Sequence, residues 1–92
     1  MKKYPFGKKN LYGTTQKKIA AVKKKGNIIT FKKQWAYGNG TATQIIVTGF
    51  KKTKSGAVKI EGRFYDSPWY ESIDKLLEAV DWKFMDVHNY LP

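Results

Sequence analysis

Residues 57–65, "AVKIEGRFY", alternate apolar and polar side chains with a period of two, and residues 27–37, "NIITFKKQWAY", do the same. Successive side chains of an extended strand point to opposite faces, so this period builds a sheet with one apolar face and resists helix. In residues 27–37, Ile29, Phe31, Lys33, Trp35 and Tyr37 share one face, and Ile28, Thr30, Lys32, Gln34 and Ala36 the other. In residues 57–65, Val58, Ile60 and Phe64 point one way and Lys59, Glu61, Arg63 and Tyr65 the other. Between them, "TATQIIVTGF" (41–50) is rich in β-branched residues and reads as a third strand. Gly38-Asn39-Gly40 turns the chain before it, and "KKTKSG" after it is a loop carrying Lys51, Lys52 and Lys54.

The segment before these strands, "QKKIAAVKKK" (16–25), fits two conformations. As a helix it has Thr15 as N-cap, lysines in its last turn and Gly26 just beyond. As a strand it pairs with residues 27–37 through the two-residue turn Gly26-Asn27, where a leading glycine suits a type II′ hairpin. Short-range pairing costs little chain entropy, so the hairpin is the favoured expectation.

The period changes at "YDSPWYESIDKLLEAVD". Ser67 fits an N-cap, Pro68 the first helical position, and Glu71 and Asp74 the positive end of the dipole. Trp69, Ile73, Leu76, Leu77 and Val80 then recur at helical spacing. The tail "WKFMDVHNYLP" is expected to add a short second helix with Phe84, Val87, His88 and Leu91 on one side. A terminal strand with Trp82 and Phe84 on one face is the other reading. Ninety-two residues with three Trp, six Tyr and five Phe support one core. The expected fold is α+β: a three- to four-stranded antiparallel meander covered on one face by a C-terminal helix. Residues 16–92 form the domain, and residues 1–15 an aromatic, basic arm.

Charge carries most of the functional signal. Residues 1–60 hold fifteen lysines and no acid; the first acidic residue is Glu61. The remaining residues hold three cations against seven acids, and the whole chain stands at +11. An AT-rich genome would favour lysine over arginine, but such drift brings glutamate as well. A concentrated positive field suits a polyanion. The acids Asp66, Glu71, Asp74, Glu78, Asp81 and Asp86 fall on the expected helical side, so the sheet side is expected to be basic.

A sheet binds nucleic acid with lysines on phosphates and exposed aromatics under bases. The candidate contacts are Lys23, Lys24, Lys25, Lys32, Lys33, Lys51, Lys52, Lys54, Lys59 and Arg63, with the aromatics Trp35, Tyr37 and Tyr65. Tyr65 shares its side with Lys59 and Arg63 and is the best stacking candidate. Phe31 reads as core, and Trp35 divides between core and stacking. With one arginine in the chain, bidentate base contacts are scarce and weak sequence preference is expected. Single-stranded DNA or RNA is favoured over duplex DNA.

An enzyme is not expected. His88 is the sole histidine and sits on the apolar side of the terminal segment, and Glu61 lies between Lys59 and Arg63 as a natural ion-pair partner. Cysteine is absent, and no spacing of ligands suits a metal, so neither metal nor cofactor is expected. The aromatic strings of RNA-recognition and cold-shock domains and the GXXG clamp are missing. The N-terminal lysines precede no apolar stretch and no run spans a membrane, so a cytoplasmic protein without membrane partners is expected. The competing expectation is a small phage or mobile-element inhibitor or adaptor of the anti-defence type. Its lysine face would dock on an acidic surface of a host protein that handles nucleic acid.

Overall fold

The computed structural model describes residues 12–88; the side chains of Val87 and His88 lie outside that description, as do Leu91 and most of the expected arm. The element order is α1 (Thr15–Lys23), β1 (Ile28–Tyr37), β2 (Gly40–Lys52), β3 (Val58–Gly62), α2 (Ile73–Ala79) and α3 (Trp82–His88). The strands form an antiparallel sheet in the order β1-β2-β3, so the α+β meander is present with three strands.

Residues 16–25 are not the outer strand of a hairpin but most of α1. Thr14, one residue earlier than expected, is the N-cap, and its Oγ1 accepts from the Lys17 N–H at 3.1 Å. Alanines and lysines favour helix, and the helix buries Ala21 and Val22 with Ile19 partly covered. At its other end the buried Asn27 donates through Nδ2 to Ala21 O at 3.0 Å, satisfying a terminal carbonyl. Gly26, at φ +87°, turns the chain into β1 and donates to Val47 O at 2.7 Å. A hairpin strand would need a free edge of β1. One edge is taken by β2, and on the other Phe31 pairs with Val80 while Asp81 N–H bonds Thr30 O at 2.8 Å.

β1 is strongly irregular. Thr30 faces Gln44 and Trp35 faces Ala42, so residues 31–34 stand against Thr43 alone. The extra length forms a bulge in β1, and pairing with β2 resumes from Trp35 to Tyr37. β2 carries a smaller bulge at Thr48, between the pairs Val47–Gly62 and Gly49–Glu61. The covered face presents Ile29, Phe31, Ile45, Val47, Val58 and Ile60, which pack with Val22, Leu76, Leu77, Val80 and Met85.

β3 stops at Gly62, three residues before the alternation ends. A side chain there would run into Tyr65 O and the Ile45 side chain. Asp66 Oδ1 accepts from Gly62 N–H at 3.2 Å, and Arg63 N–H bonds Ile46 O at 3.0 Å. The return reverses the faces expected beyond it: Phe64 is 76% exposed and Tyr65 is half-buried. The chain then runs back along the outer edge of β3. Ser67 N–H bonds Ile60 O at 2.9 Å, Ile60 N–H bonds Ser67 Oγ at 2.9 Å, and Tyr70 exchanges both backbone bonds with Val58. Ser67 and Pro68 therefore lie outside any helix, because Ser67 bonds the edge of β3 through its N–H and Oγ.

Helix begins only at Ile73, with Ser72 as N-cap accepting from Lys75 N–H at 3.2 Å. Trp82 Nε1–H bonds Leu77 O at 2.8 Å and closes the helix end. The tail is helical, as favoured from sequence; Asp81 Oδ1 accepts from Phe84 N–H at 3.1 Å, and Met85 is buried. Tyr12, from the expected arm, packs in the core with its ring 5.3 Å from that of Trp82.

Gly62→Ala is expected to destabilise the fold by about 3 kcal/mol, because backbone is among what its Cβ would strike. Gly26→Ala, where only the positive φ is at stake, is expected to cost about 1–2 kcal/mol. Urea denaturation midpoints of the two variants decide the ranking, and equal midpoints would show that the return at Gly62 yields without strain.

Candidate nucleic-acid interface

The thirteen candidate residues fall into three groups in space. The first lies on the end of α1 and on the β2–β3 hairpin, which share a groove. Lys23 closes α1, and Lys24 and Lys25 follow it on the turn into β1; all three are exposed. Lys23 Nζ lies 5.0 Å from the Phe50 ring centroid. A groove of about 320 Å³ runs between these elements, and Lys23 and Lys52 stand in its lining with Ile19, Phe50, Gly56 and Ile73. Lys51 and Lys52 close β2 rather than sitting in a loop, and their side chains leave opposite faces of it. Lys54 lies in a tight, bonded turn: Thr53 N–H bonds Ala57 O at 2.9 Å and Ala57 N–H bonds Thr53 Oγ1 at 3.1 Å. The turn therefore presents its lysine on a fixed support. Among the described residues, the ion pair here is Lys51 with Glu61 at 3.6 Å.

The second group is Lys32 and Lys33, exposed on the bulged half of β1. They line a pocket of about 310 Å³ with Tyr70, Lys75, Glu78 and Ala79, so an acid from α2 shares their surroundings.

The third group holds Lys59, Arg63 and the aromatics. Lys59 leaves the uncovered face of β3, and its ammonium lies 2.9 Å from Asp66 Oδ2 and 5.0 Å from the Trp69 ring centroid. Asp66 is thus on the return and not on a helix, and together with Glu61 it brings acid to the sheet side. The uncovered face is mixed in charge, where a basic one with Glu61 as its acid was expected. Tyr65 is not an open stacking platform. Its hydroxyl donates to Gln44 O at 2.7 Å, and its ring packs 6.1 Å from Trp35 and 4.5 Å from Tyr37. Trp35 is half-buried, edge-on to Phe31 at 5.0 Å, and donates through Nε1 to Asp66 O at 3.2 Å. Tyr37 keeps 42% of its surface.

The exposed rings missed from sequence include Phe64, at 76%, and Trp69, at 49%, with Phe84 less exposed on α3. The signal for Phe64 was Gly62, since a glycine interrupting a strand pattern marks a bulge or a close backbone approach. No comparable signal marks Trp69, whose helical spacing to Ile73 and Leu76 coincides with its position on the return.

Among the described residues no group of acidic and histidine side chains could hold a metal ion, and no helix is long and apolar enough to cross a membrane. Set against family models, curated proteins and solved structures, the chain matches none.

The Asp66 carboxyl lies below the usual carboxylate range, chiefly because it accepts from the Lys59 ammonium. Partial burial opposes this; the Gly62 N–H and the charges of Lys59 and Lys51 reinforce it. A carboxyl lowered by folding stabilises fully above its unfolded value of about 3.9, and that share is lost as pH falls through the folded value. Asp66→Asn is therefore expected to lose less stability between about pH 6 and pH 3 than the wild type. Thermal melts at the two pH values test this, and identical losses would remove Asp66 from the acid response.

Proposed function

We propose that this protein binds nucleic acid, single-stranded DNA or RNA ahead of duplex DNA, with little sequence preference and no catalytic step. The observation that carries the reading is a groove in which Lys23, from α1, and Lys52, from the end of β2, stand together, with the exposed Lys24 and Lys25 following Lys23 in the chain and the exposed Lys54 following Lys52. The two stretches meet because α1 packs against β2. Lysine ammonium groups attract phosphates as point charges and read no bases, so affinity is electrostatic and falls with salt.

If about 4–6 lysines engage phosphates, the slope of log K against log salt is expected to be about −3 to −5. The variant Lys24→Glu, Lys52→Glu, Lys54→Glu tests the location. It spares Lys51, which Glu61 engages, and Lys23, which covers Phe50. The expectation is at least tenfold weaker binding, about 1.4 kcal/mol, with a nearly unchanged melting temperature because these side chains are solvated. Anisotropy titrations at two salt concentrations measure both quantities. A salt-insensitive complex, or full affinity in the triple variant, overturns the proposal. Failure to bind any nucleic acid at low salt would transfer the lysine groove to the inhibitor or adaptor reading, with an acidic host protein as its partner.

A further inference from the structure

The uncovered face of the sheet carries a cleft that the lysine groove does not explain. It measures about 200 Å³ and is lined by Ile28, Gln44, Ile45, Ile46, Phe64 and Tyr65. Phe64 stands there because the bonds that fold the Gly62 return, Gly62 N–H to Asp66 and Arg63 N–H to Ile46 O, hold it out of the core. A phenyl ring 76% exposed costs solubility and contributes little to folding, and Ile28 beside the cleft keeps 41% of its surface.

The lining has a definite chemistry. Phe64 supplies an aromatic wall, and Ile28 and Ile46 supply aliphatic ones. The Gln44 amide gives one N–H to Thr30 Oγ1 at 3.0 Å, which leaves a carbonyl oxygen and a second N–H. The Tyr65 hydroxyl spends its proton on Gln44 O at 2.7 Å, which leaves an oxygen that accepts. The Arg63 guanidinium lies 5.8 Å from the Phe64 ring centroid, and no acid lines the cleft. A flat heterocycle that stacks on a ring, bonds an amide along its edge and carries a phosphate for a nearby guanidinium matches every one of these features.

Resting on the nucleic-acid reading above, we infer that this cleft receives one unpaired base of the bound strand, with Arg63 on its phosphate. Phe64 is the stacking residue and Gln44 the group that meets the base edge. A base inside a duplex cannot enter, so the cleft selects single strands, while the lysine groove holds any phosphate backbone. An aliphatic side chain from a protein partner would fill the same walls but cover the Gln44 amide and Tyr65 oxygen without bonding them. A second copy of the chain would bring one net charge of +11 against another.

The test is the intact protein with Phe64→Ala, titrated against single-stranded oligo-dT, oligo-dA and oligo-dC and against a duplex of equal length, at fixed salt. Single-strand binding is expected to weaken about 5- to 150-fold, with the salt slope and duplex affinity unchanged. Phe64→Tyr is expected to restore it, and Gln44→Leu to change the ranking of the three homopolymers. Wild-type affinity for single strands in Phe64→Ala, with weakened binding in the lysine triple variant, overturns the cleft and leaves the lysine reading standing. Equal losses on single strands and duplex also overturn it, since no base contact would then be involved. Absence of any complex with the wild type overturns both together.

Discussion

A ladder of five aromatic rings ties the irregular half of β1 to the return that follows β3. Tyr70 stacks on Phe31 at 6.1 Å, Phe31 meets Trp35 at 5.0 Å, Trp35 meets Tyr65 at 6.1 Å, and Tyr65 meets Tyr37 at 4.5 Å. Such contacts contribute roughly 0.5–1.5 kcal/mol each beyond their area. They matter here because residues 31–34 of β1 fall out of register with β2 before pairing resumes at Trp35. The rings, the Trp35–Asp66 bond and the Phe31–Val80 bridge hold this stretch. Without them the bulged stretch and residues 65–70 would lose the surface they share.

The same ladder sorts the aromatics by use. Trp35 and Tyr65, which looked available for stacking, are consumed in closing the sheet. Phe64, which looked like core, is excluded from it, because the return at Gly62 allows only one of two consecutive aromatics to face inward. One glycine thus decides both the end of β3 and the identity of the exposed ring.

Charge follows a related logic. Among the described residues, acids of the last third of the chain return to two early lysines, Lys51 and Lys59, both on the uncovered face of the sheet. Among the described residues, the lysines at the end of α1 and on the hairpin form no further ion pair beyond Lys51–Glu61. Screening at physiological salt acts over roughly 8 Å, so a cluster of this kind works locally, on whatever backbone lies against it. The packing of α1 beside β2 brings Lys23 into the same groove as Lys52, 29 residues further along the chain.

The three strands, their antiparallel order, a helix carrying Leu76 and Leu77 and a helical tail were all readable from residue order, as was the absence of acids before Glu61. Those features rest on local physics: a period of two, turn glycines, capping residues and charges that count the same wherever they sit. Three other features were decided by tertiary contact. Residues 16–25 became helix because both edges of β1 were already occupied. Residues 67–70 stayed outside any helix, although Ser67 and Pro68 suit a helix start, because β3 had backbone groups to satisfy. Phe64 and Tyr65 exchanged faces because Gly62 lies against Ile45 and the Tyr65 carbonyl, 17 and three residues away along the chain. In each case the local pattern fitted another conformation, and the choice fell to a hydrogen bond or a steric contact that no local pattern could name.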